Sequence, residues 1–195
     1  MEQLLEYFGV LTGLLYLFLE IKQHRAMWVV GFLTSLVYVF VFFFSKIYAD
    51  MGLNIYYVAI SVYGFLQWSK NRACEKSEMP SVPQDSIIYR RLTPRLFIGV
   101  SAAITVLFFL IYIILNDFTD SPIPMGVGIV ATWMVARRIM EHWLFWIVAN
   151  GVSVYLYFGR ELYPTMFLYI CYTVLAAIGL YTWKKKGTRS VDNSL

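Results

Sequence analysis

Trp143, Trp146 and Asn150 are the residues of this chain whose types and spacing best suit chemistry with a ligand. They stand in the run Glu141-His142-Trp143-Leu144-Phe145-Trp146-Ile147-Val148-Ala149-Asn150, which opens a long apolar stretch. At about 100° per residue the three fall on one helix face, and Ser153 and Tyr157 continue the stripe. Indoles stack on flat or cationic rings, and a carboxamide both donates and accepts hydrogen bonds. One reading is therefore a pocket for a flat, polar, heteroaromatic solute. The other is packing, because Trp marks membrane interfaces and Asn, Ser and Tyr serve helix–helix contacts. Either way lipid is a poor solvent for the carboxamide, so the stripe should face protein or a cavity.

The rest of the chain has to hold that stripe in a membrane. Of its 195 residues, 59% are hydrophobic, 18% aromatic and only 14% charged. Soluble domains carry about 25% charged residues, and the mean hydropathy here is +0.63. Seven apolar runs approach the roughly 20 residues that a spanning helix needs. They are Leu4–Leu19, Met27–Phe44, Met51–Trp68, Leu96–Leu115, Pro122–Ala136, Trp143–Phe158 and Tyr163–Trp183. The start, Met1-Glu2-Gln3, lacks the basic region of a signal peptide. Cys74 and Cys171 fall in a loop and a helix, which does not suggest a disulfide.

The charges follow a topology. One side receives Lys22, Arg25, Lys70, Arg72, Lys76, Arg90, Arg91, Arg95, Arg137, Arg138, Lys184, Lys185, Lys186 and Arg189; the other has only Lys46 and Arg160. The excess of Lys and Arg on cytoplasmic loops predicts a cytoplasmic C-terminus and an N-terminus outside. The net charge of +4 is thus a loop bias and no sign of nucleic-acid binding.

Shifted by 115 residues, the chain aligns with itself without a gap from Gly13 to Lys70. Matched pairs include Trp28/Trp143, Phe43/Phe158, Tyr48/Tyr163, Gly64/Gly179 and Trp68/Trp183. The expected organisation is a first triple-helix repeat (1–70), a linker (71–95), a connector helix (96–118), a second triple-helix repeat (119–186) and a polar tail (187–195). A repeat displaced by four spans keeps its direction across the membrane, and parallel repeats of this kind build transporters with a midplane substrate site. The mates of Trp143, Trp146, Asn150, Ser153 and Tyr157 are Trp28, Gly31, Ser35, Tyr38 and Phe42. Large residues facing small ones would leave room for a ligand, which favours the pocket and adds Ser35 and Tyr38 to the candidate site.

The pattern Arg137-Arg138-(x)2-Glu141-His142-Trp143-Leu144-Phe145-Trp146-(x)3-Asn150-(x)2-Ser153-Val154 resembles the signature of the Pnu family of vitamin transporters, which includes nicotinamide riboside and thiamine transporters. Glu6-(x)2-Gly9-(x)3-Gly13, Phe43-(x)4-Tyr48-Ala49-(x)3-Leu53-Asn54 and Tyr63-Gly64-(x)3-Trp68 resemble its first three helices. The resemblance runs from about Glu6 to Trp183. It implies an all-α membrane protein of seven transmembrane helices in a parallel 3+1+3 repeat, similar to the SWEET sugar transporters. It also implies a homotrimer in a bacterial inner membrane, and facilitated diffusion with trapping by a cytoplasmic vitamin kinase. Trp143, Trp146 and Asn150 match the family's binding motif, and Asn54 stands where relatives often carry Gln or Asn. Gln67 is a further candidate contact, although it lies thirteen residues on and about 220° around the helix from Asn54.

Mechanistically, no Asp, Glu, Lys or Arg stands in mid-span, which favours uncoupled transport by alternating access. No phosphate-binding G-x-x-x-x-G-K-[ST] loop, nucleophile–base pair or metal cluster is visible, so neither an enzyme nor a bound cofactor is expected. The residues leave nicotinamide riboside and thiamine as alternative substrates, and a receptor or a membrane enzyme as other classes. Trp28, Trp68 and Trp183 at span ends read as interfacial belt residues, and His142 as a solvated or headgroup-facing side chain.

Overall fold

The computed structural model describes residues 2–46, 48–78, 87–114, 122–159, 161 and 163–189. Among the described residues there are seven helices: α1 Glu2–Ile21, α2 Ala26–Phe44, α3 Tyr48–Glu78, α4 Pro94–Ile114, α5 Pro122–Ala136, α6 His142–Gly159 and α7 Tyr163–Lys186. Pro94 and Pro122 open α4 and α5, where a fixed φ and a missing N–H cost nothing. Two short strands, β1 (Ile88–Tyr89) and β2 (Thr188–Arg189), pair in parallel and add a small sheet to a chain expected to be all helix. Residues 79–86, 115–118 and 190–195 of the expected linker, connector and tail lie outside the described residues.

The third helix runs past its expected end at Trp68 to Glu78. Its added turns, Ser69-Lys70-Asn71-Arg72-Ala73-Cys74-Glu75-Lys76-Ser77-Glu78, contain neither Gly nor Pro and are rich in helix formers. The apolar run ends at Trp68 and the helix does not, because hydropathy reports the solvent and propensity reports the backbone.

The chain divides into two compact units, Met1–Ile87 and Ile88–Leu195. In the first, α2 packs against α1 and α3; in the second, α5 packs against α4 and α6, and α6 against α7. Large apolar side chains are exposed along the helices, among them Leu11, Phe40, Val106, Phe167 and Ile170. Apolar surface on that scale calls for a lipid solvent. Ala26–Phe44 and Thr165–Lys186 are each long and apolar enough to cross a membrane.

The 115-residue correspondence recurs in the backbone. Positive φ occurs at Gln23 and Arg138 and again at Lys46 and Glu161, two pairs at that offset. The hydrogen bonds match as well. The Gln23 N–H donates to Glu20 O at 2.9 Å and the His24 N–H to Leu19 O at 2.8 Å; Arg138 N–H donates to Val135 O at 2.9 Å and Ile139 N–H to Met134 O at 3.0 Å. Both sets form a Schellman ending, in which a left-handed residue lets two late carbonyls be satisfied. Glycine usually fills that position, yet here Gln23 and Arg138 do so with buried side chains.

Each unit also holds the same aromatic core. Trp28 meets Trp68 edge to face at 5.5 Å, and Trp143 meets Trp183 at 5.7 Å. A Cβ on Gly64 would lie 2.5 Å from the Trp28 ring, and one on Gly179 would lie 2.5 Å from the Trp143 ring. The glycines therefore allow an indole to seat on a bare helix backbone. These four tryptophans are fully buried in protein rather than facing lipid as a belt: Trp28 and Trp143 are each enclosed by a glycine and a partner indole, and Trp68 and Trp183 are those partners. In the second unit Val100, Val130, Met134 and Ile139 form a further cluster, packed by Leu92, Leu96 and Trp133.

Candidate functional site

The α6 stripe turns to protein. Asn150 is 8% exposed and Ser153 3%, whereas Leu144, Val148, Tyr155 and Phe158 on the other faces are exposed. Ser153 donates to Ala149 O at 3.1 Å, and Tyr157 stacks on Tyr169 at 5.2 Å. The five residues thus form one protein-facing line, as the carboxamide requires.

Their roles divide along it. Trp143 is closed in by Gly179, Trp183 and the His142 ring, whose centroid is 4.6 Å away. His142 is buried rather than solvated. Its Nδ1 is 2.6 Å from Ile139 O, and its ring meets Trp183 at 5.0 Å. Trp143 does in its unit what Trp28 does in the other, which is to bind helix to helix. Trp146 is half-buried, and its indole N–H is sealed from solvent with no hydrogen-bond partner among the described residues. Trp28 and Trp143 share that deficit with each other and so carry it as a cost of packing, whereas Trp146 has Gly31 as its mate.

The other candidates belong to the first unit. Ser35 is buried at 7% exposure in α2. Tyr38 stacks on Phe42 at 5.7 Å and sets its hydroxyl against the Gly9 backbone. Asn54 is half-buried and donates through Nδ2 to Asp50 O at 2.8 Å. Gln67 Nε2 is 3.5 Å from Asn71 Oδ1, about 20 Å along α3 from Asn54 at 1.5 Å per residue. Gln67 and Asn54 are therefore not brought to one place.

One expectation about shape changes. The place beside Gly31 is not open, because a Cβ there would lie 3.1 Å from the Tyr16 ring and 3.2 Å from Ser61 Oγ. Tyr16 and Ser61 fill that space from within their own unit. Their mates at the 115 offset are Ala131 and Ala176, both fully buried. Thus one unit sets Gly31 beside Tyr16 and Ser61, while the other has Trp146 with two alanines at the corresponding places. This exchange of volume was legible at the 115-residue offset, but only to a comparison of all three positions together.

The loops at one end of the second unit are also tied. Glu141 accepts the Leu92 N–H at 3.0 Å and lies 4.0 Å from the Arg91 guanidinium. Arg90 exchanges backbone hydrogen bonds with Arg138 and Met140. These bonds fix the turn from which α6 projects its stripe.

Comparison with known proteins bears on what such a stripe serves. Residues 3–185 match the model of the nicotinamide mononucleotide transporter family. The nicotinamide riboside transporter PnuC of Escherichia coli is 20% identical over 97% of this chain and 90% of its own. The PnuC of Neisseria mucosa is 26% identical over 91% of this chain and 70% of its own. The riboflavin/roseoflavin transporter RibM of Streptomyces davaonensis is 28% identical over 93% and 84%. A crystal structure of the vitamin B3 transporter PnuC superposes with a TM-score of 0.70, at 23% identity, covering 93% of this chain and 80% of that one.

The fold is that of a seven-helix membrane transporter. The chain belongs to the nicotinamide mononucleotide transporter family, whose matched members carry vitamins and are not enzymes.

Proposed function

We propose that this protein takes up nicotinamide riboside by facilitated diffusion. The observation that carries the reading is the pair on α6: a buried Asn150 carboxamide one turn from Trp146, whose enclosed indole N–H has no partner among the described residues. A buried donor left unpaired costs about 1–3 kcal/mol, and a polar heteroaromatic solute would relieve that cost while its cationic ring stacks on the indole. Asn54, Ser35 and Tyr38 are further candidate contacts in this reading, and Trp143 is a packing residue of the same helix. Gln67 stays a candidate for a separate contact.

The mechanism follows from the absence of ionisable side chains in mid-span. The substrate's own gradient drives flux through alternating access, and phosphorylation by a cytoplasmic vitamin kinase retains it. The matched turns and Trp–Gly–Trp cores support a parallel 3+1+3 repeat of the SWEET kind. The 14-to-2 split of Lys and Arg supports a C-terminus in the cytoplasm of a bacterial cell with the N-terminus outside. A homotrimer completes the proposal.

A second substrate is favoured by one finding, the 28% identity to a riboflavin/roseoflavin transporter. Thiamine is the third, since its cationic ring suits an indole equally. Uptake of labelled nicotinamide riboside, riboflavin and thiamine into proteoliposomes without an ion gradient separates them. The expected result is nicotinamide riboside uptake that stops at equal concentrations. Uptake of another vitamin alone reassigns the substrate, and accumulation only under an ion gradient overturns the uncoupled mechanism.

A further inference from the structure

A groove of about 180 Å³ runs between α2 and α3 within the first unit. Trp28, Phe32 and one polar residue, the buried Ser61, help to line it, together with Val29, Val62, Phe65 and Leu66, which are 48%, 47%, 40% and 62% exposed. Its lining is almost wholly apolar and its side is open, so the occupant is not a polar solute. The groove starts within a turn of the charged end of both helices. Arg25 precedes Val29 by one turn and Ser69 follows Phe65 by one turn, and the Arg25 guanidinium donates to Ser69 Oγ at 3.4 Å. The two are therefore joined across the groove's mouth. Lys22 and Lys70 are exposed at the same end, whereas Glu20, the one acidic residue there with a described side chain, is buried. A cationic mouth on an apolar groove, about 10 Å from Arg25 to Phe32 at 1.5 Å per residue, is complementary to an anionic head on a hydrocarbon tail.

We infer that this groove is a binding site for one anionic phospholipid, with an acyl chain along Val29, Phe32, Val62 and Phe65 and the phosphate on Arg25. Juxtamembrane cations attract anionic headgroups, and the apolar groove packs against an acyl chain by van der Waals contact with little polar surface to bury. The charge therefore selects the lipid and the groove holds it in register. Phosphate alone lacks the tail and should not be retained.

The test is native mass spectrometry of the full chain released from nanodiscs made of equal phosphatidylglycerol and phosphatidylcholine. The wild-type protein should keep phosphatidylglycerol in preference, and inorganic phosphate should give no adduct. Arg25→Met is a suitable variant, because Met140 occupies the corresponding turn of the second unit. It should cut phosphatidylglycerol adducts about fivefold, the ratio for one lost juxtamembrane cation. Val62→Trp, which fills the groove and leaves Arg25 in place, should cut them as far. Unchanged adducts in both variants overturn the site. Loss of oligomers in Val62→Trp with unchanged adducts would make the groove a contact between copies of this chain instead, which also overturns it.

Discussion

At the scale of single residues, Trp146 and Asn150 differ from Trp143 and Trp28 in what encloses them. Trp143 and Trp28 are enclosed by a glycine and a second indole, so their volume does the work. Trp146 has a sealed donor with no partner among the described residues, and Asn150 has a carboxamide at 8% exposure. Trp146→Phe keeps a ring and removes the donor; Asn150→Ala removes both amide groups. Each should lower the ratio of maximal uptake to half-saturating concentration about tenfold, as loss of roughly 1.4 kcal/mol of hydrogen bonding does. Uptake kinetics in proteoliposomes check this. Unaltered kinetics in both variants, with normal melting, would assign the stripe to packing.

At the scale of helices, the turns and cores of the two units are built alike, so equivalent damage should have equivalent cost. Gly64→Leu and Gly179→Leu each drive a side chain into an indole that already lies within 2.5 Å of the Cβ position. Overpacking of this kind costs about 1–3 kcal/mol, and both variants should melt lower by similar amounts when followed in detergent by fluorescence. A loss in one and none in the other would mean that the tryptophan seats are not equivalent. The 115-residue alignment made this pairing legible, since Trp28/Trp143, Gly64/Gly179 and Trp68/Trp183 are all identical. It did not show that the indoles are buried. An aromatic at the end of an apolar run reads as interfacial, and only the position of the glycine on the neighbouring helix converts it to core.

At the scale of the whole molecule, the distribution of basic residues predicts an orientation that labelling can test. With Cys74 and Cys171 replaced, Lys46→Cys should react with a membrane-impermeant maleimide on intact cells. Lys185→Cys should react only after permeabilisation. Labelling of Lys185→Cys from outside would reverse the proposed orientation. The prediction belongs to this scale because no single loop decides it: the bias is summed over all the short loops.

The sequence by itself determined the membrane class, seven helices, the repeat offset and the α6 stripe, because hydropathy, period and identity are local properties of the chain. It also carried the family, through the spacing of Trp143, Trp146 and Asn150. Only the tertiary structure decided which polar residue near a span end is buried, as with His142, and where α3 stops. It likewise decided that Tyr16 and Ser61 close the space at Gly31. These outcomes depend on atoms from helices distant in sequence arriving within van der Waals range of one another. Neither the period of one helix nor the composition of one loop contains that information.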